Sequence, residues 1–255
     1  MKKISEKTNK KTTIVVEVNI MNYGFINEND FINSLNNKQI KDVPQHLKEQ
    51  LLKIFNCDEN SILSCEKYKG HYKPDVYLKC NDIKINISIK SGDNISAHEE
   101  LLEQFVAFLS TIGITNRTIK IIKFYHYGDG TTDGSGDSLL DLKYMQFKYS
   151  NYIMQANCEL NNNKNYMNII DRILFSGKFN QNHSIDFIYY GTDKIGFLLS
   201  KEQIINYLVK QKSMYLNCLH VGPFTYQPAS RKTNKVKYCQ FKWKSLLSDI
   251  TKMIQ

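Results

Sequence analysis

The segment from Pro74 to Lys90 constrains this chain more than any other. Pro74-Asp75-Val76-Tyr77-Leu78 reads as a short strand, Asn81-Asp82 supplies turn chemistry, and Ile83, Ile85, Ile87 and Ile89 alternate with other residues up to Lys90. A period of two puts those isoleucines on one face. Two such strands around a tight turn make a β-hairpin. The hairpin needs a core to bury its isoleucine face, and it can bring an Asp on its first strand beside a Lys on its second.

A chain of 255 residues is long enough for one substantial core, or a core with a smaller attachment. At 42% hydrophobic and 23% charged residues it reads as an ordinary globular protein. Lys and Arg number 34 against 25 Asp and Glu, a formal charge of +9 that favours a polyanionic partner such as nucleic acid. The six cysteines form no C-x-x-C pair and have no regularly spaced His partner, which speaks against a zinc site. Met1-Lys2-Lys3 leads into polar residues and not an apolar signal core, so a reduced cytoplasmic setting is expected. The longest apolar stretch, Phe105 to Ile114, is too short to span a bilayer, so no membrane partner is expected.

Along the chain, residues 1–11 are polar and expected to be flexible, and Thr13 to Ile20 is a predicted strand. Asp42 to Phe55 carries Val43, Leu47, Leu51, Leu52 and Phe55 at helical spacing, and a polar stretch follows over 56–70. Ser96 with Glu99 matches a capping box opening a helix that runs to about Ile112. Its stripe would be Leu101, Leu102, Phe105, Leu109 and Ile112. Thr118 to Tyr125 is read as a strand, 128–137 as a Gly- and Asp-rich loop, and 139–149 and 165–175 as helical. Ile185 to Tyr190 and Phe197 to Leu199 follow as strands, then a helix over Ser200 to Val209 and a closing helix near Trp243 to Met253. The expected fold is one α/β domain over 1–255, a mixed central β-sheet flanked by helices, within which about 216–255 is a candidate DNA-recognition extension.

Phosphodiester hydrolysis needs a cation against developing charge, an activated water, and a group that steadies the attacking hydroxide. A carboxylate suits hard Mg²⁺, and a nearby lysine can hold water and offset phosphate charge. Pro74-Asp75 followed by Ser88-Ile89-Lys90 resembles the PD-(D/E)XK nuclease superfamily, type II restriction endonucleases in particular. The resemblance extends through Ser91-Gly92, Asn94 and His98-Glu99-Glu100 to the Gly-Asp-Gly-Thr loop at 128–131. A weaker echo lies in Gly222 to Pro228 and in Gln240-Phe241-Lys242-Trp243. One departure is plain: Ser88 stands where the family has its second acid. In some restriction enzymes with this substitution a glutamate of the following helix takes over. The resemblance therefore implies Asp75 and Glu100 as Mg²⁺ ligands and Lys90 as the group that positions water. Glu99 and Glu103 are rivals of Glu100, although the capping box gives Glu99 a structural task. Glu66, upstream of Asp75, is a further carboxylate able to assist a metal, although exposed surface is the expected place for it.

The implied substrate is double-stranded DNA, cut at a specific sequence. A homodimer would set two active sites on two strands and match a palindromic target; the sequence leaves a monomer equally open. In the C-terminal stretch Arg231, Lys232, Lys235, Lys237, Lys242 and Lys244 interleave with Tyr226, Tyr238 and Trp243. Tyr226, Gln227, Arg231 and Gln240 are the candidate DNA-contacting residues, against the alternative of a solvated cationic face. The 129–137 loop opens like a calcium loop, but Leu140 stands where a bidentate Glu belongs. Neither a P-loop nor a G-x-S-x-G elbow occurs. Two alternatives remain: a DNA-binding relative without catalysis, for which Ser88 is the argument, and a repair or mobile-element nuclease that cuts by structure.

Overall fold

The computed structural model describes residues 24–70, 72–92, 95–178, 183–211, 217–230 and 233–255. The strand expected at Thr13 to Ile20 and the flexible segment 1–11 lie outside these residues.

The first layer is helical: α1 (Gly24–Leu35) and α2 (Gln45–Phe55), the second close to the expected helix but opened by the 3-10 turn Ile40–Asp42. Leu47, Leu51 and Phe55 point inward at i, i+4 and i+8. They pack on a five-stranded sheet of β1 (Leu63–Lys67), β2 (Val76–Cys80), β3 (Ile83–Lys90), β5 (Phe187–Gly191) and β6 (Gly196–Ser200), in that order. All neighbours run antiparallel except β3 and β5, which are parallel, so the sheet is mixed as expected. The predicted hairpin is β2–β3. Its turn residue Asn81 has φ 52°, the left-handed conformation that Asn tolerates. Ile85, Ile87 and Ile89 join Leu47, Leu51 and Phe55 in one core, whereas Ile83 beside the turn stays exposed.

A second, antiparallel sheet runs in the order β4 (Ile95–Leu101), β9 (Tyr238–Trp243), β8 (Phe224–Pro228) and β7 (His220–Val221). It corrects one expectation. Residues 95–101 are not the start of a helix: Ser96 pairs with Lys242 and Glu99 with Gln240 across the sheet. The helix α3 (Leu102–Thr111) begins only at Leu102 and has no side-chain cap. In the C-terminal stretch, β8 and β9 complete the sheet that β4 begins.

The helices α4 (Asn116–Tyr127), α5 (Leu142–Lys148), α6 (Ser150–Leu160) and α7 (Asn163–Ile170) fill the long crossover from β3 to β5. Thr118 to Tyr125, expected as a strand, lies within α4. Its buried residues Thr118, Ile122, Tyr125 and His126 follow a helical period, and the Thr115 hydroxyl caps the helix. A π turn, Asp171–Ser176, continues α7. After the sheet strands come α8 (Lys201–Leu208), opened by a Ser200–Gln203 capping box, and α9 (Leu246–Met253). A second core joins the inner face of the second sheet to α3–α9 and to Ile188, Tyr190 and Leu199 of the first sheet. The first sheet is thus covered on both faces.

Candidate active site

Val76 pairs with Ile87, which sets Asp75 across from Ser88 at the mouth of the β2–β3 hairpin. Asp75 donates its own backbone N–H to the Ile87 carbonyl at 3.0 Å. Its Oδ2 accepts from the Ser88 hydroxyl at 2.9 Å and from the Ile89 backbone N–H at 2.7 Å. Lys90 Nζ stands 3.8 Å from the same oxygen, and both side chains are about a quarter exposed (23% and 25%). The structure therefore brings together the two residues on which the sequence reading centred. The period of two explains it: the isoleucines go into the core, so Ser88 and Lys90 face the other way, toward Asp75.

The partners on Oδ2 fix the carboxylate's orientation. Oδ1 accepts no hydrogen bond from any described residue. Among the described residues no three His, Cys, Asp or Glu side chains converge as a metal cluster. Asp75 Oδ1 is the carboxylate oxygen here that could hold a Mg²⁺ ion together with water and phosphate oxygens, a donor set that Mg²⁺ accepts.

Glu100, which the resemblance implied as a second ligand, is committed to other partners. It sits on β4 and not on a helix, and it is fully buried. Arg172 grips both its oxygens, Nε to Oε1 at 2.9 Å and Nη2 to Oε2 at 2.5 Å, and His98 Nε2 lies 3.0 Å from Oε1. The Arg172 guanidinium also covers the Phe108 ring at 4.5 Å. Burial alone would raise the Glu100 pKa, but the His98 and Arg172 hydrogen bonds outweigh it and hold the group below its usual range. Of its rivals, Glu103 is exposed in an ion pair with Lys123, and Glu66 is exposed on β1 across from Tyr77.

Behind Asp75 lies a residue that the sequence did not single out. The Lys73 ammonium donates to Ala97 O at 2.8 Å and Ile173 O at 2.5 Å, and lies 3.3 Å from His98 Nδ1. Its pKa is pulled down to about 7, chiefly by burial and then by the Lys90 charge, against the attraction of Asp75 and Glu100. No local spacing in the sequence announces this residue or Arg172.

A cleft of about 380 Å³ lies alongside, lined by Tyr72, Lys73, Ser96, His98, Glu99 and Lys178 among others. Glu99 begins a polar rung on the outer face of the second sheet, where it pairs in register with Gln240, and Gln240 with Gln227. Gln240 Nε2 donates to Glu99, and Gln227 Nε2 approaches Gln240 Oε1 at 3.4 Å. Gln227 and Gln240 are thus together on an accessible face. Tyr226 is not with them: it is buried on the opposite face, and its hydroxyl meets His126 Nδ1 at 2.7 Å. Arg231 lies outside the described residues. A larger cavity of about 490 Å³ sits elsewhere, between α4, α5 and α6, with apolar walls and none of the candidate residues.

No family model matches the chain, and neither does any curated protein. Among solved structures it is similar to restriction endonuclease MspI in complex with its cognate DNA, with a TM-score of 0.55 and 13% identity. The match covers 81% of this chain and 84% of that chain. At that identity the likeness is one of architecture: the fold is restriction-endonuclease-like. No described helix is long and apolar enough to cross a membrane.

Proposed function

We propose that this chain is a Mg²⁺-dependent endonuclease that hydrolyses phosphodiester bonds of double-stranded DNA at a specific sequence, as type II restriction enzymes do. The observation that supports it most is the Asp75–Lys90 pair, a fixed carboxylate with an open oxygen and an ammonium 3.8 Å from its other oxygen. In a restriction-endonuclease-like fold this pair occupies the mouth of the central hairpin. Asp75 Oδ1 would hold the cation, which supplies Lewis-acid stabilisation of phosphate charge and lowers the pKa of bound water. Lys90 positions the attacking water and offsets charge on the phosphate. Ser88 and the Ile89 N–H orient Asp75 from behind and supply no charge. Gln227 and Gln240 offer amide donors and acceptors suited to base edges. A cytoplasmic setting and a homodimer on a palindromic target belong to the same proposal.

A DNA-binding relative without catalysis is the second reading, favoured by Ser88 in place of an acid. The experiment that separates them is digestion of diverse plasmid and phage DNAs by wild type and Asp75→Ala, with Mg²⁺ and with EDTA. Discrete fragments that need Mg²⁺ and vanish in the variant support the endonuclease. Binding without cutting by well-folded wild type supports the second reading, and cutting that survives Asp75→Ala moves the centre elsewhere.

A further inference from the structure

Lys73 is two residues from Asp75, and its ammonium is the point where three separate parts of the fold meet. An ammonium has three N–H donors and no acceptor. Here three acceptors surround it: Ala97 O on β4, Ile173 O on the π turn, and His98 Nδ1. The Glu100 carboxylate, held ionised by Arg172, can only accept, so the His98 ring proton is on Nε2 and is donated to Glu100 Oε1, and Nδ1 is left to accept from Lys73. Glu100 is in turn held at two points by Arg172, one residue before Ile173 on the π turn. The chain Lys73–His98–Glu100–Arg172 therefore closes on itself, through the backbone of the π turn, as a polar ring in which His98 and Glu100 are buried. π turns within helices are rare and frequently lie at functional sites. Gly177, which ends this one at φ 63°, leaves room for the Lys73 stem: a Cβ there would lie 3.2 Å from it.

We infer that Lys73 is a positioning residue for the proposed reaction: through this ring it clamps the segment carrying Asp75 onto β4 and the π turn. The inference rests on the nuclease reading above. β4 also carries Glu99 and the amide rung on its outer face, so the clamp ties the proposed DNA-contacting surface to the carboxylate that would hold the cation. Neither Lys73 nor His98 is asked to touch substrate. Their effect is geometric, and reacting groups misplaced by a fraction of an ångström to one ångström lose large rate factors.

The test uses the full chain and a duplex carrying the site that wild type cuts. Single-turnover cleavage rate, Mg²⁺ half-saturation and duplex affinity in Ca²⁺ are measured for wild type, Lys73→Met, His98→Leu and His98→Gln. Lys73→Met keeps the stem and removes the donors, while His98→Leu removes the third acceptor and leaves the ammonium on its two carbonyls. Glutamine can still accept from Lys73 and donate to Glu100. The expected result is a loss of about 100-fold in cleavage rate for Lys73→Met, a smaller loss for His98→Leu, a raised Mg²⁺ requirement, and duplex affinity within about twofold of wild type. His98→Gln should recover most of the His98→Leu loss. Folded variants that cleave at the wild-type rate, or that lose rate only in step with affinity, overturn the inference and leave the nuclease reading standing. Wild type that binds DNA and never cuts it removes both.

Discussion

Arg172 holds Glu100 at both carboxylate oxygens, across 72 residues of sequence and with the glutamate entirely out of solvent. This pairing decides what Glu100 is for. A buried carboxylate with a bidentate guanidinium and a His98 hydrogen bond is already satisfied, and detaching it to serve a cation would strand the arginine. Removing one partner of a buried ion pair costs about 3–5 kcal/mol, since the other charge stays behind. Arg172→Met should therefore destabilise the fold by that order in a urea titration. Glu100→Gln should lower stability and raise the Mg²⁺ half-saturation of any remaining activity no more than His98→Leu does, because both act through the same ring. A rise well beyond that of His98→Leu in a fully stable Glu100→Gln protein would restore Glu100 to the metal site.

Asp75 and Lys90 should behave in the opposite way. Each is about a quarter exposed and they stand 3.8 Å apart, so their attraction is screened by water. Asp75→Asn and Lys90→Met should each change folding stability by no more than about 1 kcal/mol. Each should lower cleavage by roughly 100-fold or more, the scale on which a single charge-stabilising group acts. Thermal melts and single-turnover cleavage on the same preparations check both halves. Collapse of the fold in either variant would show that the pair is structural.

The hairpin was legible because everything that forms it is local: alternating isoleucines, an Asn-Asp turn, and an Asp and a Lys at its mouth. Strand β4 was not, because Ser96 and Glu99 imitate a capping box while the partner that makes them a strand, Lys242 to Gln240, is some 140 residues away. Helix α4 was misread for the reverse reason. Thr118, Ile119, Ile121 and Ile122 have β-branched side chains, yet the burial of Thr118, Ile122, Tyr125 and His126 follows a helical stripe. Glu100 was read from position alone, whereas its fate is set by Arg172, which no spacing rule connects to it.

His98 gives the fold an acid-sensitive point. Burial, then the Lys73 charge, pull its pKa down from 6.5 to about 4 despite the Glu100 carboxylate. The unfolded chain therefore binds a proton between pH 6.5 and 4 that the folded chain refuses, and stability falls as pH drops through that window. Half-buried His46 and buried His220 are shifted in the same direction by burial, and hydrogen bonds hold Glu100 and Glu159 below their usual range, so His98 is one contributor to the wild-type slope. His98→Gln has no proton to take up at this position. Urea unfolding at pH 7.5, 5.5 and 4.5 should show a shallower loss for the variant, and equal slopes would place the acid sensitivity elsewhere.

Tyr226 was expected to contact DNA and is instead part of the core between Phe105 and Phe241. The His126 Nε2–H donates to Val236 O, so Nδ1 is the acceptor for the Tyr226 hydroxyl. Tyr226→Phe removes that hydrogen bond and should cost about 1–2 kcal/mol of stability. Cleavage-site preference, read from the fragment pattern of one plasmid, should not change. An altered pattern from a stable variant would bring Tyr226 back into recognition.

Ser88 allows the sharpest test of how the cation is held. Its hydroxyl lies 2.9 Å from Asp75 Oδ2 and is almost fully buried, at 2% exposed. Ser88→Asp would set a second carboxylate against the first. Without metal the two cannot both ionise cheaply, so one pKa rises and the fold loses stability by about 1–3 kcal/mol. A divalent cation between them removes the repulsion, and whatever binds the folded state alone raises its stability by mass action. The variant should therefore melt below wild type in EDTA and gain more than wild type when Mg²⁺ is added. Equal Mg²⁺ increments in the two proteins would mean that Asp75 does not hold the ion. A larger increment in Ser88→Asp would put the cation at the hairpin mouth by a measurement independent of cleavage.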